Sequence, residues 1–240
     1  MIVYWAPVFF DFDNNIDWNM LYYEPKSLYS YHIKNINKEN KDKNTNFFYC
    51  PPFQNVAQNT FVIENPIHTH ITFEQENNGY KGIVKSKNYI ETSIVHKPSL
   101  KNNLLISYGL QYVFFAEKDL DMMLTSPYFH QANYLSSCSL IPGKFNINKW
   151  FRVINLEFNL WQSNELNIQK LDPLAYVNFL TDEKIVLKRF EMNKKLHSYC
   201  NSAGSSSTWE SFVPLIERYK RFTSTRTNDL VLKEIKKNLL

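Results

Sequence analysis

His68, His70 and Glu74 are the residues whose types and spacing are best suited to chemistry. Apolar and polar residues alternate over residues 67–74, which predicts a half-buried β-strand. The three side chains occupy even positions, so we expect them on one face of that strand. Imidazole and carboxylate groups suit a divalent transition metal. The pattern therefore predicts a metal site; the alternative is a polar strand surface that carries two histidines.

The spacing His-x-His-x-x-x-Glu resembles the first metal motif of the cupins, which bind iron, manganese, zinc or nickel inside a β-barrel. The resemblance implies that these three residues are ligands in a cupin-like metal-dependent enzyme of oxygenase or isomerase type, with Fe, Mn or Zn as its cofactor. It covers only this short stretch, because Val62 stands where the motif has its leading glycine. The second cupin motif is not matched, since Pro142 and Gly143 are adjacent and no histidine follows before His197.

Asp11 and Asp13 form a second candidate, directly after the apolar run at residues 8–10. An apolar run followed by Asp-x-Asp resembles the motif of the haloacid-dehalogenase phosphatases, in which the first aspartate is the nucleophile and the second is the acid/base. That fold needs alternating strands and helices, which this sequence does not show. A calcium loop also fails, because Ile16 occupies the position that requires glycine. The sequence favours an acidic turn after a first strand.

Motifs for nucleophilic catalysis and phosphate binding are absent from the sequence, which has no GxSxG, P-loop or GxGxxG. Its three cysteines, Cys50, Cys138 and Cys200, show no CxxC spacing, so we expect reduced, inert thiols in a cytoplasmic protein. The tract from Lys149 to Arg152 has residue types that stack on a base or a sugar. The alternative is that its two aromatic residues belong to the core.

The order of strand-like segments predicts a mainly β fold, a sandwich or jelly-roll-like barrel of about ten strands. Pro51 and Pro52 are expected to stop any regular element, and a connection containing Met122 and Met123 is expected to join two strands. Asn77–Gly79 predicts a hairpin turn. The predicted strands cover residues 2–9, 60–64, 67–74, 80–85, 89–95, 104–108, 111–116, 151–160, 174–180 and 185–190.

The C-terminal end differs, because residues 204–207 indicate a flexible break and two helical patterns follow. The first helix is predicted near residues 212–222, with Pro214 in its first turn. The second is predicted to have Thr227 as its N-cap and an apolar stripe of Leu232, Ile235 and Leu239. We expect a single domain overall, with a β-rich part at residues 1–207 and a helical segment at 208–240 packed on it.

Composition predicts a soluble globular protein, since 44% of the residues are hydrophobic and 16% aromatic. No stretch approaches the roughly 20 apolar residues of a membrane span, so no membrane partner is expected. The net charge of +4 is mild, which disfavours nucleic acid as a partner but leaves it open. Self-association or a protein partner is the expected kind of interaction.

Short tracts spread over nearly the whole chain carry a further resemblance. They are Trp5-Ala-Pro7, Glu24-Pro25, Cys50-Pro51-Pro52-Phe53, Asn59–Ile63 with Pro66, Gly143–Ile147 with Lys149–Arg152, Asp172–Tyr176, and Phe179 with Thr181-Asp182. This succession resembles a family of proteins encoded by tailed bacteriophages, including marine T4-like phages. The resemblance implies a viral accessory or virion-associated protein, in the infected cell's cytoplasm or in the virion. We therefore expect a non-catalytic binding or structural role without a cofactor, with the cupin-like enzyme as the alternative.

Overall fold

The computed structural model describes residues 1–8, 10–11, 16–17, 22–30, 50–76, 79–84, 94–97, 104–109, 112–161, 165–205 and 213–240. Within these residues the chain is mainly β, with sheets that stack as in a sandwich and two helices at the C-terminal end. The predicted fold class is confirmed. Of the two predicted architectures, the sandwich is the better description, because the described strands form separate open sheets.

The secondary-structure elements of the described residues are as follows. The strands are β1 (Ile2–Pro7), β2 (Phe10–Asp11), β3 (Ile16–Asp17), β4 (Lys26–Ser27), β5 (Thr60–Glu64), β6 (Thr69–Glu76), β7 (Gly79–Val84), β8 (Ile94–Lys97), β9 (Leu104–Gly109), β10 (Tyr112–Ala116), β11 (Asp121–Thr125), β12 (Cys138–Leu140), β13 (Gly143–Asn146), β14 (Asn155–Leu160), β15 (Glu165–Ile168), β16 (Pro173–Phe179) and β17 (Val186–Arg189). The helices are α1 (Pro51–Gln58), α2 (Lys194–Ser205), α3 (Leu215–Ser224) and α4 (Thr227–Lys237), with a 3-10 helix at Asn133–Ser136.

The described strands pair in four sheets and one short ribbon, β2 with β3. The sheet orders are β10-β1-β17, β13-β11-β16-β5-β4, β12-β14-β9-β8 and β15-β6-β7. Among these pairings β1 with β17 is parallel, with Ile2 opposite Val186 and Trp5 opposite Arg189. The other pairings of the described strands are antiparallel.

Strand β1 is buried on both faces, which explains its nearly continuous apolar sequence. Val3 and Trp5 face the main core, to which all four sheets contribute. Tyr4 and Ala6 face a second cluster that lies under α2 and α4. The β10-β1-β17 sheet therefore separates the main core from α2 and α4, and these two helices form one outer layer of the molecule.

The register predicted for residues 67–74 is confirmed. Ile71 and Phe73 of β6 are each 1% exposed and lie in the main core. His68 and Glu74 are exposed, so the even positions point away from the core. Strand β6 pairs with β7 and places Glu76 opposite Gly79, as expected of the predicted hairpin; residues 77 and 78 of its turn lie outside the described residues.

Helix α4 is attached to the sheet by its apolar stripe and by the residues that follow it. Val231 and Ile235 are fully buried against the second cluster. Beyond the helix, the chain pairs with the end of β17: Leu239 forms an antiparallel bridge with Phe190, and the Leu240 amide donates to the Arg189 carbonyl over 3.2 Å. Of the predicted apolar stripe, Ile235 is fully buried and Leu232 is half-buried, whereas Leu239 is 39% exposed, so only part of the stripe packs on the sheet of the same chain.

Several boundaries differ from the sequence prediction. The prolines at 51 and 52 do not stop a regular element but open α1, because a helix's first residues need no amide donor. Pro214 is the N-cap of α3 rather than a residue of its first turn. Thr227 is the first residue of α4, and its N-cap is Arg226, whose φ of 54° lies in the left-handed region.

The structure also contains elements that the sequence did not indicate. Helix α2 includes Gly204 and Ser205, which were predicted to belong to a flexible break. Strand β11 contains Met122 and Met123, which were predicted to lie in a connection; it pairs with both β13 and β16. Strands β12, β13 and β15 were also not predicted, and each is three or four residues long.

Candidate binding cleft

The predicted metal residues lie on the outward face of β6 and the residue before it, and the two histidines contact strand β15. Nε2 of His70 lies 2.5 Å from Oε1 of Glu165. Nε2 of His68 lies 3.0 Å from Oδ1 of Asn167, and the two imidazole centroids are 6.2 Å apart. Glu74 lies further along the same face and is exposed. Each histidine thus has a cross-strand partner that the sequence did not indicate.

These contacts are those of a polar sheet surface, in which opposite residues on neighbouring strands pair with each other. The pairing of β15 with β6 places Asn167 opposite His70 and Glu165 opposite Thr72. In the part of the chain that the structure describes, no three His, Cys, Asp or Glu side chains form a group that could hold a metal ion.

The other residues singled out in the sequence lie apart from one another. Asp11 ends β2, in the ribbon with β3, and Asp13 lies outside the described residues. Cys50 is half-buried and directly precedes α1. Cys138 and Cys200 are buried, and burial raises the pKa of each thiol to about 12. These two thiols are therefore protonated at neutral pH and are poor nucleophiles.

A cleft of about 210 Å³ lies where the segment between β13 and β14 meets the C-terminal helices. We call it the Trp150 cleft. Its lining includes four aromatic residues and three basic residues: Trp150, Phe151, Tyr219, Phe222, Lys149, Arg218 and Arg221. The tract from Lys149, noted in the sequence for its stacking residues, thus forms one wall, and α3 forms the other.

The residues on both sides of Trp150 are fixed by the fold. The Asn148 side chain donates to the carbonyls of Ala116 and Glu117 at the end of β10, over 3.0 and 3.1 Å. Phe151 is fully buried in the second cluster, with its ring centroid 5.6 Å from that of Phe115. Trp150 is held between these two anchors and is only half-buried. Its indole therefore lies in the seam between the sheets and the helices.

The indole of Trp150 is surrounded by aromatic and cationic groups. Its centroid lies 3.6 Å from that of Tyr219 and 5.9 Å from that of Phe145. The guanidinium carbon of Arg152 lies 4.9 Å from the indole centroid, within the range of a cation–π contact. Burial raises the pKa of Tyr219, and the neighbouring Arg152 only partly offsets this. Tyr219 is therefore an uncharged phenol at neutral pH.

The charge of the cleft is positive. Arg218 and Arg221 are three residues apart on α3, so they lie on one face of that helix. Lys149 forms an ion pair with the exposed Asp119, with Nζ 2.9 Å from Oδ1. Hydrogen bonds from Lys149 and Asn146 hold the pKa of Asp119 below its usual value. Asp119 is therefore the acidic group that partly compensates the basic cleft at its edge.

The turn between α3 and α4 forms the rim of the cleft. The Thr225 hydroxyl donates to the Arg221 carbonyl over 2.7 Å. Since that hydroxyl has one hydrogen, the 2.8 Å contact between the Thr225 and Thr227 hydroxyls is a donation from Thr227. Both threonines are thus engaged in holding the turn.

A second cavity of about 240 Å³ lies on the other side of Trp150, and we call it the Arg152 cavity. Core residues including Phe114, Met122 and Ile147 form its apolar floor. Arg152 and Glu157 are its charged lining residues, and the Ser107 hydroxyl donates to Oε1 of Glu157 over 2.9 Å. Trp150 is among the lining residues of both spaces, so the two are neighbours.

Sequence reasoning identified one half of this site. The stacking residue types of the tract at 149–152 indicated a binding surface, and the cluster Arg218, Lys220 and Arg221 is visible as a basic patch. No local pattern joins the two, because their contact depends on how α3 docks about 70 residues later in the chain. The sequence also gives no sign of the Arg152 cavity, whose floor comes from β10, β11 and the segment after β13.

None of the helices in the described ranges is both long and apolar enough to cross a lipid bilayer. The arrangement of aromatic and basic side chains must be interpreted on its own geometry, because no protein-family model, curated protein or solved structure matches this chain.

Proposed function

We propose that this chain is a non-catalytic binding protein encoded by a tailed bacteriophage, an accessory or virion-associated protein that binds single-stranded nucleic acid at the Trp150 cleft. One observation carries the proposal: three partly exposed aromatic side chains and three basic side chains line the same cleft. A nucleotide unit offers the two partners that this lining suits, a planar base and an anionic phosphate. The protein would act in the cytoplasm of the infected cell or in the virion.

The aromatic residues are well placed for stacking. Trp150, Tyr219 and Phe222 are each half-buried, so packing holds each ring while part of it faces the cleft. Stacking of one base on an aromatic side chain contributes about 1–3 kcal/mol and tolerates any base. A cleft of this kind therefore supplies affinity without requiring a particular sequence.

The basic residues supply the complementary charge. The chain as a whole carries only +4, which is why its composition disfavours nucleic acid. The fold concentrates Lys149, Arg218 and Arg221 at one cleft, and the local field matters more to a bound phosphate than the net charge. Contacts of this kind make binding weaker as the salt concentration rises.

Support for the phage assignment comes from the short tracts spread along the sequence. One of them, Lys149–Arg152, supplies the wall that holds Trp150. Another, Asn59–Ile63, contains the buried Asn59, whose side chain bonds the carbonyls of Thr181 and Glu183. The tracts that carry the resemblance thus include both a scaffold residue and the candidate site.

The cupin-like metal enzyme centred on His68, His70 and Glu74 is the alternative function. The contact of His70 with Glu165 gives both side chains a partner inside the protein. A cross-strand pair of this type occurs on polar sheet surfaces without any metal. This is the reason we base the proposed function on the cleft and not on β6.

Fluorescence anisotropy with a labelled oligodeoxycytidylate of about ten nucleotides, a length within the range bound by known single-strand sites, tests the proposal. We expect the full chain to bind this probe, and binding to weaken at higher salt. Trp150→Ala should weaken binding by about 5- to 100-fold, the loss expected for one stacking contact. Trp150→Phe keeps a ring in the wall and should lose less.

Two matched variants serve as controls. Trp161→Ala removes an exposed indole at the far end of β14, and Lys170→Ala removes a positive charge from the β15–β16 turn. Neither should change the affinity by more than about twofold, the scale of an isolated surface charge. If the oligonucleotide fails to bind, or if Trp150→Ala binds as the unaltered protein does, the proposal is wrong. Circular dichroism on each variant checks that it is folded.

A further inference from the structure

We infer that the Trp150 cleft and the Arg152 cavity hold two consecutive bases of one strand, so that the minimal ligand is a dinucleotide with the Trp150 indole between its bases. The inference rests on the proposed function and specifies how the strand is bound. It follows from three features of the wall between the two spaces: their size, their lining and the position of Arg152.

The two spaces have similar sizes and a common wall. Their volumes are about 210 and 240 Å³, and Trp150 lines both. A cavity of about 150 Å³ is enough to hold a benzene molecule, so each space has room for an aromatic base. Neither is large enough for two stacked bases together with their sugars. One base in each space is therefore the arrangement that fits.

The Arg152 cavity has the lining that a base requires. Phe114, Met122 and Ile147 offer apolar surface to the faces of a ring. Asn155 and Glu157 lie on the same strand, β14, and offer polar groups to its edge. The hydrogen bond from Ser107 holds the Glu157 carboxylate in place. An apolar floor with a few fixed polar groups at its rim is typical of sites for small planar ligands.

Each space also contributes one aromatic neighbour to the indole. Tyr219 belongs to the Trp150 cleft, with its centroid 3.6 Å from that of Trp150. Phe145 belongs to the Arg152 cavity, with its centroid 5.9 Å away. Tyr219 covers the indole face that it contacts, so a base in the Trp150 cleft would pack beside these two rings, and one in the Arg152 cavity beside Phe145 and the indole. Splayed bases held by aromatic side chains are a common mode of single-strand recognition.

Arg152 lies where the strand must cross from one space to the other. Its guanidinium is 4.9 Å from the indole centroid and lines the Arg152 cavity. It also interacts with the phenol of Tyr219, which lines the Trp150 cleft. The phosphate that links two bases placed on either side of Trp150 would therefore pass beside this guanidinium. Guanidinium groups bind phosphate oxygens through two parallel hydrogen bonds.

The experiment compares deoxycytidine monophosphate with the dinucleotide pdCpdC as competitors of the labelled oligodeoxycytidylate. With the full chain, we expect the dinucleotide to compete at least tenfold better, because the second base adds one stacking contact. Asn155 is exposed and lines the Arg152 cavity, so the larger side chain of Asn155→Trp should block the opening of that cavity. It should remove the dinucleotide's advantage over the mononucleotide.

Asn159→Trp is the matched control, since Asn159 lies on β14 outside the residues that line the cavity, and it should keep the advantage of the dinucleotide. Arg152→Gln should reduce the affinity for the dinucleotide more than that for the mononucleotide. If the oligonucleotide binds but the dinucleotide competes no better than the mononucleotide, or if Asn155→Trp keeps its advantage, the inference is wrong and the proposed function stands. If the labelled oligonucleotide itself does not bind, both are wrong.

Discussion

The ring of Tyr219 lies against the indole of Trp150, with a centroid distance of 3.6 Å and an angle of 39° between the planes. This contact connects α3 to the segment between β13 and β14. Both residues line the Trp150 cleft, and at this distance their rings touch, so no base fits between them. The helical segment and the sheets are therefore joined at the same place where we propose that the ligand binds.

The first prediction is that these two rings stabilise the fold jointly. In a double-mutant cycle of Trp150→Leu and Tyr219→Leu, measured by urea unfolding, the coupling free energy should be about 0.5–1.5 kcal/mol, as for other aromatic pairs. The same cycle with Trp161→Leu in place of Tyr219→Leu should be additive within about 0.5 kcal/mol, because those residues are far apart. Additivity of the Trp150 and Tyr219 changes would show that the contact has no energetic role.

The second prediction concerns the attachment of α4. Ile235 is fully buried, so Ile235→Ala should lower the free energy of unfolding by about 2–5 kcal/mol. Leu230 lies on the same helix but is 49% exposed, so Leu230→Ala should change the free energy of unfolding by no more than about 0.5 kcal/mol. Chemical unfolding of both variants measures the difference.

Removal of the chain from Thr208 onward is the stronger form of the same test. It would expose the second cluster under α4, and we expect insoluble protein, as judged by the soluble fraction after expression. A truncated chain that is soluble, monomeric and unfolds cooperatively would contradict this. It would show that the helical segment is an appended interaction arm.

The third prediction is that Asp119 weakens binding at the cleft. Asp119→Asn removes the carboxylate that pairs with Lys149, so the lysine charge is available to a phosphate. Oligodeoxycytidylate should bind about two- to fivefold more tightly, the scale of one surface ion pair, and the gain should disappear at high salt. Anisotropy titrations at two salt concentrations measure it. Glu217→Asn breaks another exposed ion pair, with Lys220, and is the control for charge alone.

The fourth prediction concerns backbone strain in the turn before β16. Leu171 has a φ of 71°, in the left-handed region, and is 48% exposed. The left-handed conformation costs a non-glycine residue about 1–2 kcal/mol, and glycine loses about 0.5–1 kcal/mol in chain entropy. Leu171→Gly should therefore raise the free energy of unfolding by about 0.5–1 kcal/mol. Leu180 is also exposed but has no positive φ, so Leu180→Gly should lower the free energy of unfolding.

The fifth prediction concerns metal. Elemental analysis of the purified protein, free of any affinity tag, should find less than stoichiometric transition metal, since His70 pairs with Glu165. Stoichiometric iron, manganese or zinc that disappears in His70→Ala would contradict this prediction. That result would favour the cupin-like enzyme over the binding protein.

Strands with a strict period of two could be predicted from sequence. Alternation over residues 67–74 identified β6 and its buried Ile71 and Phe73 correctly. Strand β11 was not predicted, because its five residues are too short to show a period and lie among turn-forming residues. Its position is set by pairing with β13 and β16, which are distant in sequence.

Helices with few apolar residues were harder to predict. Among the side chains of α2 that the structure describes, Leu196 and Cys200 are the buried anchors, and the last turn of the helix contains Gly204 and Ser205. Packing on the sheet, not local propensity, stabilises such a helix. For the same reason the Trp150 cleft could not be predicted as a whole, since its two walls meet only after α3 has docked.

The parallel pairing of β1 with β17 has a consequence for folding during translation. The Met1 amino group donates to the Lys184 carbonyl, 183 residues along the chain, over 2.7 Å. At a synthesis rate of about 5–20 residues per second, the apolar strand β1 waits roughly ten to forty seconds for this partner. We therefore expect the nascent chain to depend on chaperones during that interval, and folding to be slow because its decisive contacts are non-local.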